Sequence, residues 1–182
     1  MRKIIGLIVF GVLLAGCGSN QSESKFQGVR EKKDYVASGM QYLKNSDIPK
    51  AIQSFDLAIK QDPRNLNNYM ILGNVYLRLK EYVRAVDTFS GAVIVDPSNG
   101  DAYYFLAISK RLKSNVEKTL KAAQDSRAEA VKAAQRSVEI FMQNRDEVKF
   151  KRSVAFLKSL EEEQSKNMPN ASAAAALPAR LP

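Results

Sequence analysis

The sequence predicts an all-α fold, a short α-solenoid of stacked helical hairpins closed by a C-terminal capping helix. Three observations carry this. Sliding the 182-residue chain by 34 positions superimposes nine residues of 35–63 on identical residues of 69–97, which marks a repeated structural unit. Within each unit the apolar residues recur at i, i+4, i+7 and i+8, the period of one helix face. Nowhere does apolar–polar alternation persist long enough to make a strand.

Composition limits the chemistry before any element is placed. With 45% hydrophobic and 26% charged residues, the chain suits one folded domain. It has no histidine and one cysteine, which excludes a Ser-His-Asp triad, a Cys-His dyad, imidazole metal ligands, a multi-Cys zinc site and an intrachain disulfide. No glycine-rich phosphate loop is present to bind a nucleotide cofactor. The expectation is a non-enzymatic protein without metal or cofactor.

The N-terminus explains the single cysteine. Arg2 and Lys3 precede an apolar run from Ile4 to Gly16, which as a helix spans about 20 Å. That is short of the roughly 30 Å hydrocarbon core, so the run reads as an export signal rather than a permanent span. It ends in Leu14-Ala15-Gly16-Cys17, small residues before the cysteine, and turns polar at once. This closely resembles the bacterial lipoprotein signal peptide with its lipobox. An ordinary signal peptide with an incidental cysteine is the alternative. The resemblance implies cleavage before Cys17 and acylation of that residue, several acyl chains together giving stable membrane anchoring. Gly18 in the following position favours sorting to the outer membrane, facing the periplasm, where two membranes exist. On this reading residues 1–16 are lost, the charge of +9 falls to +7 with Arg2 and Lys3, and residues 17–28 form a flexible polar tether.

The first repeat occupies residues 32–65 and the second 66–99. Tyr35 falls on Tyr69, Gly39 on Gly73, Tyr42 on Tyr76, Leu43 on Leu77, Ala51 on Ala85, Phe55 on Phe89, Ala58 on Ala92, Asp62 on Asp96 and Pro63 on Pro97. Gly39 and Ala51 remove side chains where two helices come close, and Tyr42 and Phe55 fill the space above and below. Asn45-Ser46-Asp47 and Leu79-Lys80-Glu81 make the turns within the repeats, and Pro49 is tolerated in a first helical turn. Asp62-Pro63 and Asp96-Pro97 end the second helices, because the residue before proline is pushed out of the α region. The order of aromatic, Gly, Tyr, Ala, Phe, Ala and Pro resembles the tetratricopeptide repeat, with Ser38 standing where leucine is usual. A hairpin of this kind cannot bury both faces, so repeats must stack.

A third repeat, residues 100–142, starts in register with Tyr103, Leu106 and Ala107 and then loses it. A further shift of 11 puts Ala130 and Ala134 on the Ala and Phe positions. This predicts an elongated hairpin, with a first helix from about Gly100 to Gln124 and a second from about Arg127 to Met142, capped by Ser126 with Glu129. Ser114 with Glu117 has the same capping spacing and leaves a break near residue 114 as the alternative. Val148, Phe150, Val154, Leu157 and Leu160 predict a capping helix over residues 146–163. The folded domain is thus expected over 29–163, followed by a low-complexity tail at 164–182, expected to be disordered.

The tetratricopeptide resemblance implies a concave groove lined by the first helices. Its groove-facing positions map to Lys33, Val36, Met40 and Leu43, then Asn67, Met70, Asn74 and Leu77, then Asp101, Tyr104, Ile108 and Arg111, with Lys44 and Arg78 flanking. Such a mixture suits a peptide or helix whose apolar side chains enter while Asn and Arg hold polar groups. Some proteins of this family bind acidic chaperone tails through a clamp of Lys and Asn. The corresponding places hold Val36, Met40 and Ile71 here, which disfavours that partner.

Residues 107–160 carry 13 Lys+Arg against 6 Asp+Glu, whereas residues 32–100 carry 9 against 7. Nucleic-acid binding would want aromatic platforms between the charges, and Phe141, Phe150 and Phe156 sit instead at core-like spacing. The function expected is a membrane-anchored scaffold or adaptor that holds a protein or peptide partner in the cell envelope. Lipoproteins of this design resemble pilotin-like factors of type IV pilus secretins, outer-membrane assembly lipoproteins and adaptors of cell-wall hydrolases. The alternative is binding of anionic lipid or cell-wall polymer through the basic C-terminal helices. Self-association through an exposed edge of the short stack is left open.

Overall fold

A computed structural model of the chain describes residues 34–167. The signal segment, Cys17, the tether, Lys33 and the tail from residue 168 lie outside the described residues. Seven helices follow one another: α1 Tyr35–Lys44, α2 Ile48–Gln61, α3 Leu66–Arg78, α4 Tyr82–Val95, α5 Gly100–Ser114, α6 Leu120–Gln143 and α7 Glu147–Asn167.

Each start has a local cause. Asp34 accepts from Ala37 N at 2.8 Å, Asn99 from Ala102 N at 2.9 Å and Asp146 from Lys149 N at 3.0 Å, satisfying donors that a helix start leaves open. The turns after α1 and α3 are alike. Asp47 N donates to Tyr42 O at 2.9 Å and Glu81 N to Tyr76 O at 3.0 Å, while Ser46 N and Lys80 N each reach back three residues at 3.1 Å. This double closure requires a left-handed residue, here Ser46 at φ 60° and Lys80 at φ 59°.

The core follows the repeat signature. Ala51, Phe55, Ala85, Phe89 and Ala92 are fully buried. Phe89 stacks on Phe105 with ring centroids 5.6 Å apart, which carries the core from the second repeat into α5. The buried Asn68 amide donates to Ala58 O at 3.0 Å and ties the first repeat to the second.

The third hairpin departs from the favoured sequence reading. Its break lies after Ser114, the alternative position, so α6 rather than α5 is elongated. Thr119, with an extended backbone, caps α6 by accepting from Ala122 N at 3.2 Å. Ser126 and Glu129 lie inside α6 and cap nothing: Ser126 is buried, and Glu129 pairs with Lys110 across the hairpin. Nor do Ser114 and Glu117 make a capping box, since the Ser114 hydroxyl donates back to Arg111 O at 2.7 Å.

The same double closure recurs after α6. Asp146 N donates to Phe141 O at 3.0 Å and Arg145 N to Met142 O at 3.2 Å, with Arg145 at φ 55°. So α6 ends in the manner of a first helix, and α7 folds back on it as its hairpin partner. Ser137 and Ser153, both fully buried, share a hydroxyl hydrogen bond of 3.1 Å where α6 and α7 cross. The buried side of α7 is therefore Ser153 and Leu160, flanked by Phe156 and Leu157. Val148 and Val154, assigned to the apolar stripe by spacing, are 80% and 38% exposed. The helix also runs to Asn167, past the expected boundary at residue 163.

Candidate functional site

Between α1 and α3 lies an open cleft of about 530 Å³. Met40 and Leu43 come from α1 and Ile48 from the start of α2. Asn67, Met70, Ile71, Asn74, Val75 and Arg78 come from α3, with Leu79 just beyond it. The positions 67, 70, 71, 74 and 78 follow i, i+3, i+4, i+7 and i+11, so one stripe of α3 forms the floor. Met40, at 47% exposed, stands at the rim as an adaptable apolar side chain.

The polar groups sit at defined places. Asn74 donates its amide to Met70 O at 2.7 Å, which orients the side chain and leaves its oxygen as an acceptor. Arg78 lies in the last turn of α3 and Lys44 in the last turn of α1, where cations complement the helix dipole. Arg78 makes no ion pair among the described residues. Of the two cations only Arg78 lines the cleft, so one end of it carries a cation while most of its floor is apolar.

Of the residues named from the sequence, Met40, Leu43, Asn67, Met70, Asn74 and Arg78 are brought together in this cleft, whereas Val36 and Leu77 do not line it and pack against the core. Tyr104, Ile108 and Arg111 are not part of it. Tyr104 is covered by α7: its ring meets Phe156 edge-on at 5.4 Å and lies 4.2 Å beneath the Arg152 guanidinium. Arg111 is bound by Glu163, its Nε donating to Oε2 at 3.0 Å, and Ile108 is half-buried on the same helix. Asp101 at the start of α5 accepts from Lys149 at 2.7 Å and Arg152 at 2.9 Å. The start of α7 thus lies by the start of α5 and its end by the end of α5, the two helices running parallel.

Sequence reasoning missed Ile48, Val75 and Leu79 as cleft residues and weighed Ile71 only as a clamp position. The signal was available: Ile71 and Val75 are the i+1 neighbours of Met70 and Asn74 and widen the same stripe. The covering of α5 was not legible, because it depends on α7 turning back at Arg145.

About half of the basic side chains at the C-terminal end are taken up by the fold. Lys110, Arg111, Lys113, Arg136, Lys149, Lys151 and Arg152 all make ion pairs. The Arg111 hydrogen bond lowers the Glu163 pKa below its ordinary value, and Lys110 does the same for Glu129. Among the described residues no cluster of acidic or thiol side chains is arranged to hold a metal ion, and no helix is long and apolar enough to cross a membrane.

No family model matches the chain, and no curated protein matches it by sequence. Solved structures do match it in fold. The first tetratricopeptide domain of Spaghetti (RPAP3), bound to the HSP90 peptide SRMEEVD, gives a TM-score of 0.54 at 19% identity, over 72% of this chain and 90% of its own. The TPR2B domain of yeast Sti1, in its pHsp70 complex, gives 0.53 at 18% identity, over 74% of this chain and 95% of its own. The N-terminal domain of stress-induced protein-1 from C. elegans gives 0.50 at 26% identity, over 70% and 91%.

Proposed function

Taking the tetratricopeptide-repeat fold of residues 34–167 as the premise, we propose that the chain is a membrane-anchored adaptor that seats an amphipathic helix or peptide of a partner protein in the α1–α3 cleft. The observation that carries this is internal. On the equivalent face of the third repeat, α7 is itself such a helix, laying Phe156 on Tyr104 and a carboxylate, Glu163, on Arg111. The α1–α3 cleft offers the same plan unfilled among the described residues: apolar floor, aligned Asn74, and Arg78 at one end.

The ligand this fits presents two or three apolar side chains at helical spacing and an acidic group at the Arg78 end. The similarly folded domains of RPAP3 and Sti1 are seen with an HSP90 peptide and in a pHsp70 complex. Val36, Met40 and Ile71 stand where a chaperone-tail clamp would need Lys or Asn, so a more apolar ligand suits this cleft. Acylation at Cys17 would hold the domain at an envelope membrane, at the outer membrane where there are two, where an adaptor in assembly of an envelope machine would work. Seven of the thirteen basic residues that supported the polymer-binding alternative are held in intramolecular ion pairs, which favours the adaptor reading.

The test is a photo-crosslinking residue at Met70 in the full chain in its native envelope. A partner captured at position 70, lost with Ile71→Asp and with Cys17→Ala, and not captured at Tyr104, is the expected result. Capture at 104 and not at 70 overturns the assignment of the cleft.

A further inference from the structure

The tip of the α5–α6 hairpin carries a second surface. Gly100 approaches Phe141 and Lys110 bonds Glu129, so the antiparallel register sets Ser114 opposite about residue 126. Residues 120–125 therefore overhang the end of α5 by about 9 Å at 1.5 Å per residue. The α1–α2 and α3–α4 hairpins turn within three residues and have no such overhang.

The overhang is apolar and basic on its outside. Leu120, the first residue of α6, is 83% exposed, and Val116 in the connecting loop is 60% exposed. Large apolar side chains cost free energy in water, and nothing in the fold of α6 requires leucine at its first position. Of the two acids nearby, Glu117 is turned inward, pairing with Lys113 at 3.1 Å and accepting from the Ser126 hydroxyl at 3.4 Å, and Asp125 is exposed at the base of the overhang, five residues from Leu120. Lys118 and Lys121 stay exposed, with no ion pair among the described residues.

We propose that this tip seats on an anionic lipid surface, Val116 and Leu120 entering the boundary between headgroups and acyl chains while Lys118 and Lys121 meet lipid phosphates. The complementarity of charge selects an anionic surface. A lipid interface accepts apolar side chains standing on a protruding tip, without a matching pocket. The contact is weak alone and gains by proximity when another part of the chain already holds it at the membrane. It involves neither the cleft nor Cys17, so its fate is separable from the adaptor reading.

The chain contains no tryptophan, so one introduced residue reports its own surroundings. The full chain carrying Leu120→Trp is mixed with phosphatidylcholine vesicles containing or lacking phosphatidylglycerol. Ile94→Trp, on α4 and 79% exposed in the native chain, is the control. The expected result is a blue shift at position 120 on phosphatidylglycerol vesicles, reversed by salt, with position 94 unchanged. Lys118→Ala with Lys121→Ala then weakens the partitioning by up to about thirtyfold. Equal shifts at 94 and 120, which would report binding by the N-terminal apolar segment or adsorption at large, overturn the proposal. So do no shift at 120, an equal shift on both vesicle types, and a shift that grows with protein concentration in the absence of vesicles, which would report a second copy. Far-ultraviolet circular dichroism and melting keep a failure to fold apart from a failure to bind.

Discussion

Gly73 lies beneath the Phe89 ring so closely that a Cβ on the glycine would stand 2.6 Å from Phe89 Cζ. The first repeat has the same relationship, a Cβ on Gly39 standing 2.6 Å from Phe55 Cε1. Alanine would add helix propensity of up to about 1 kcal/mol, but the fully buried ring cannot yield without cost. Gly73→Ala should therefore destabilise the domain by about 1–2 kcal/mol in denaturant unfolding. In the cycle with Phe89→Leu, the double variant should lose less than the sum of the singles. The third repeat has made this exchange on both sides, with Ala107 at the glycine position and Ala134 at the phenylalanine position.

The Arg111–Glu163 pair makes the docking of α7 acid-sensitive. Hydrogen bonding by Arg111 lowers the folded-state pKa of Glu163 below its unfolded value of about 4.3. A lowered carboxyl contributes stability above the unfolded value and loses it as pH falls through the folded one. Glu163→Gln should thus melt below the native chain at pH 7 and converge with it below about pH 4. The two side chains are 34% and 38% exposed, so the gap at neutral pH stays within about 1 kcal/mol. A gap that is the same at pH 3 and pH 7 would mean that packing, not the ion pair, holds α7.

Asp56 behaves in the opposite sense. It lies between α2 and α4 beside Tyr76 and Arg84, and desolvation raises its pKa, with Lys60 and Arg84 compensating only in part. A raised carboxyl contributes stability below its unfolded pKa and loses it as pH rises through the folded one. Asp56→Asn should therefore raise the melting temperature at pH 7 and bring no gain at pH 3, measured by circular dichroism.

What was legible in the sequence follows from where the signal is local. Gly39, Phe55, Gly73 and Phe89 meet within one hairpin, and a 34-residue repeat displays such contacts twice. The α1–α3 stripe at Met70 and Asn74 was legible for the same reason. The fate of Tyr104 and Arg111 was not, because their partners Phe156 and Glu163 lie 52 residues further on in a helix outside the repeat. Periodicity misplaced the buried side of α7, since the helix crosses α6 at Ser153, a residue that a search for apolar side chains passes over.

The break of the third hairpin gives the last prediction. Two capping boxes competed in the sequence, and Thr119 prevailed over both because it adopts an extended backbone, φ −120° and ψ 145°, and accepts from Ala122 N. Thr119→Ala should cost about 1 kcal/mol. Gln124 discriminates more sharply. It is exposed, yet it sits within α6, where proline would remove the hydrogen bond to Leu120 and clash with that carbonyl. Gln124→Pro should cost about 3 kcal/mol or more in denaturant unfolding. A break near residue 125 would have left Gln124 in the last turn of a longer α5, where proline frays only that turn and costs clearly less than in the body of a helix. Near-native stability of Gln124→Pro would accordingly restore the longer α5 and remove the overhang on which Leu120 stands.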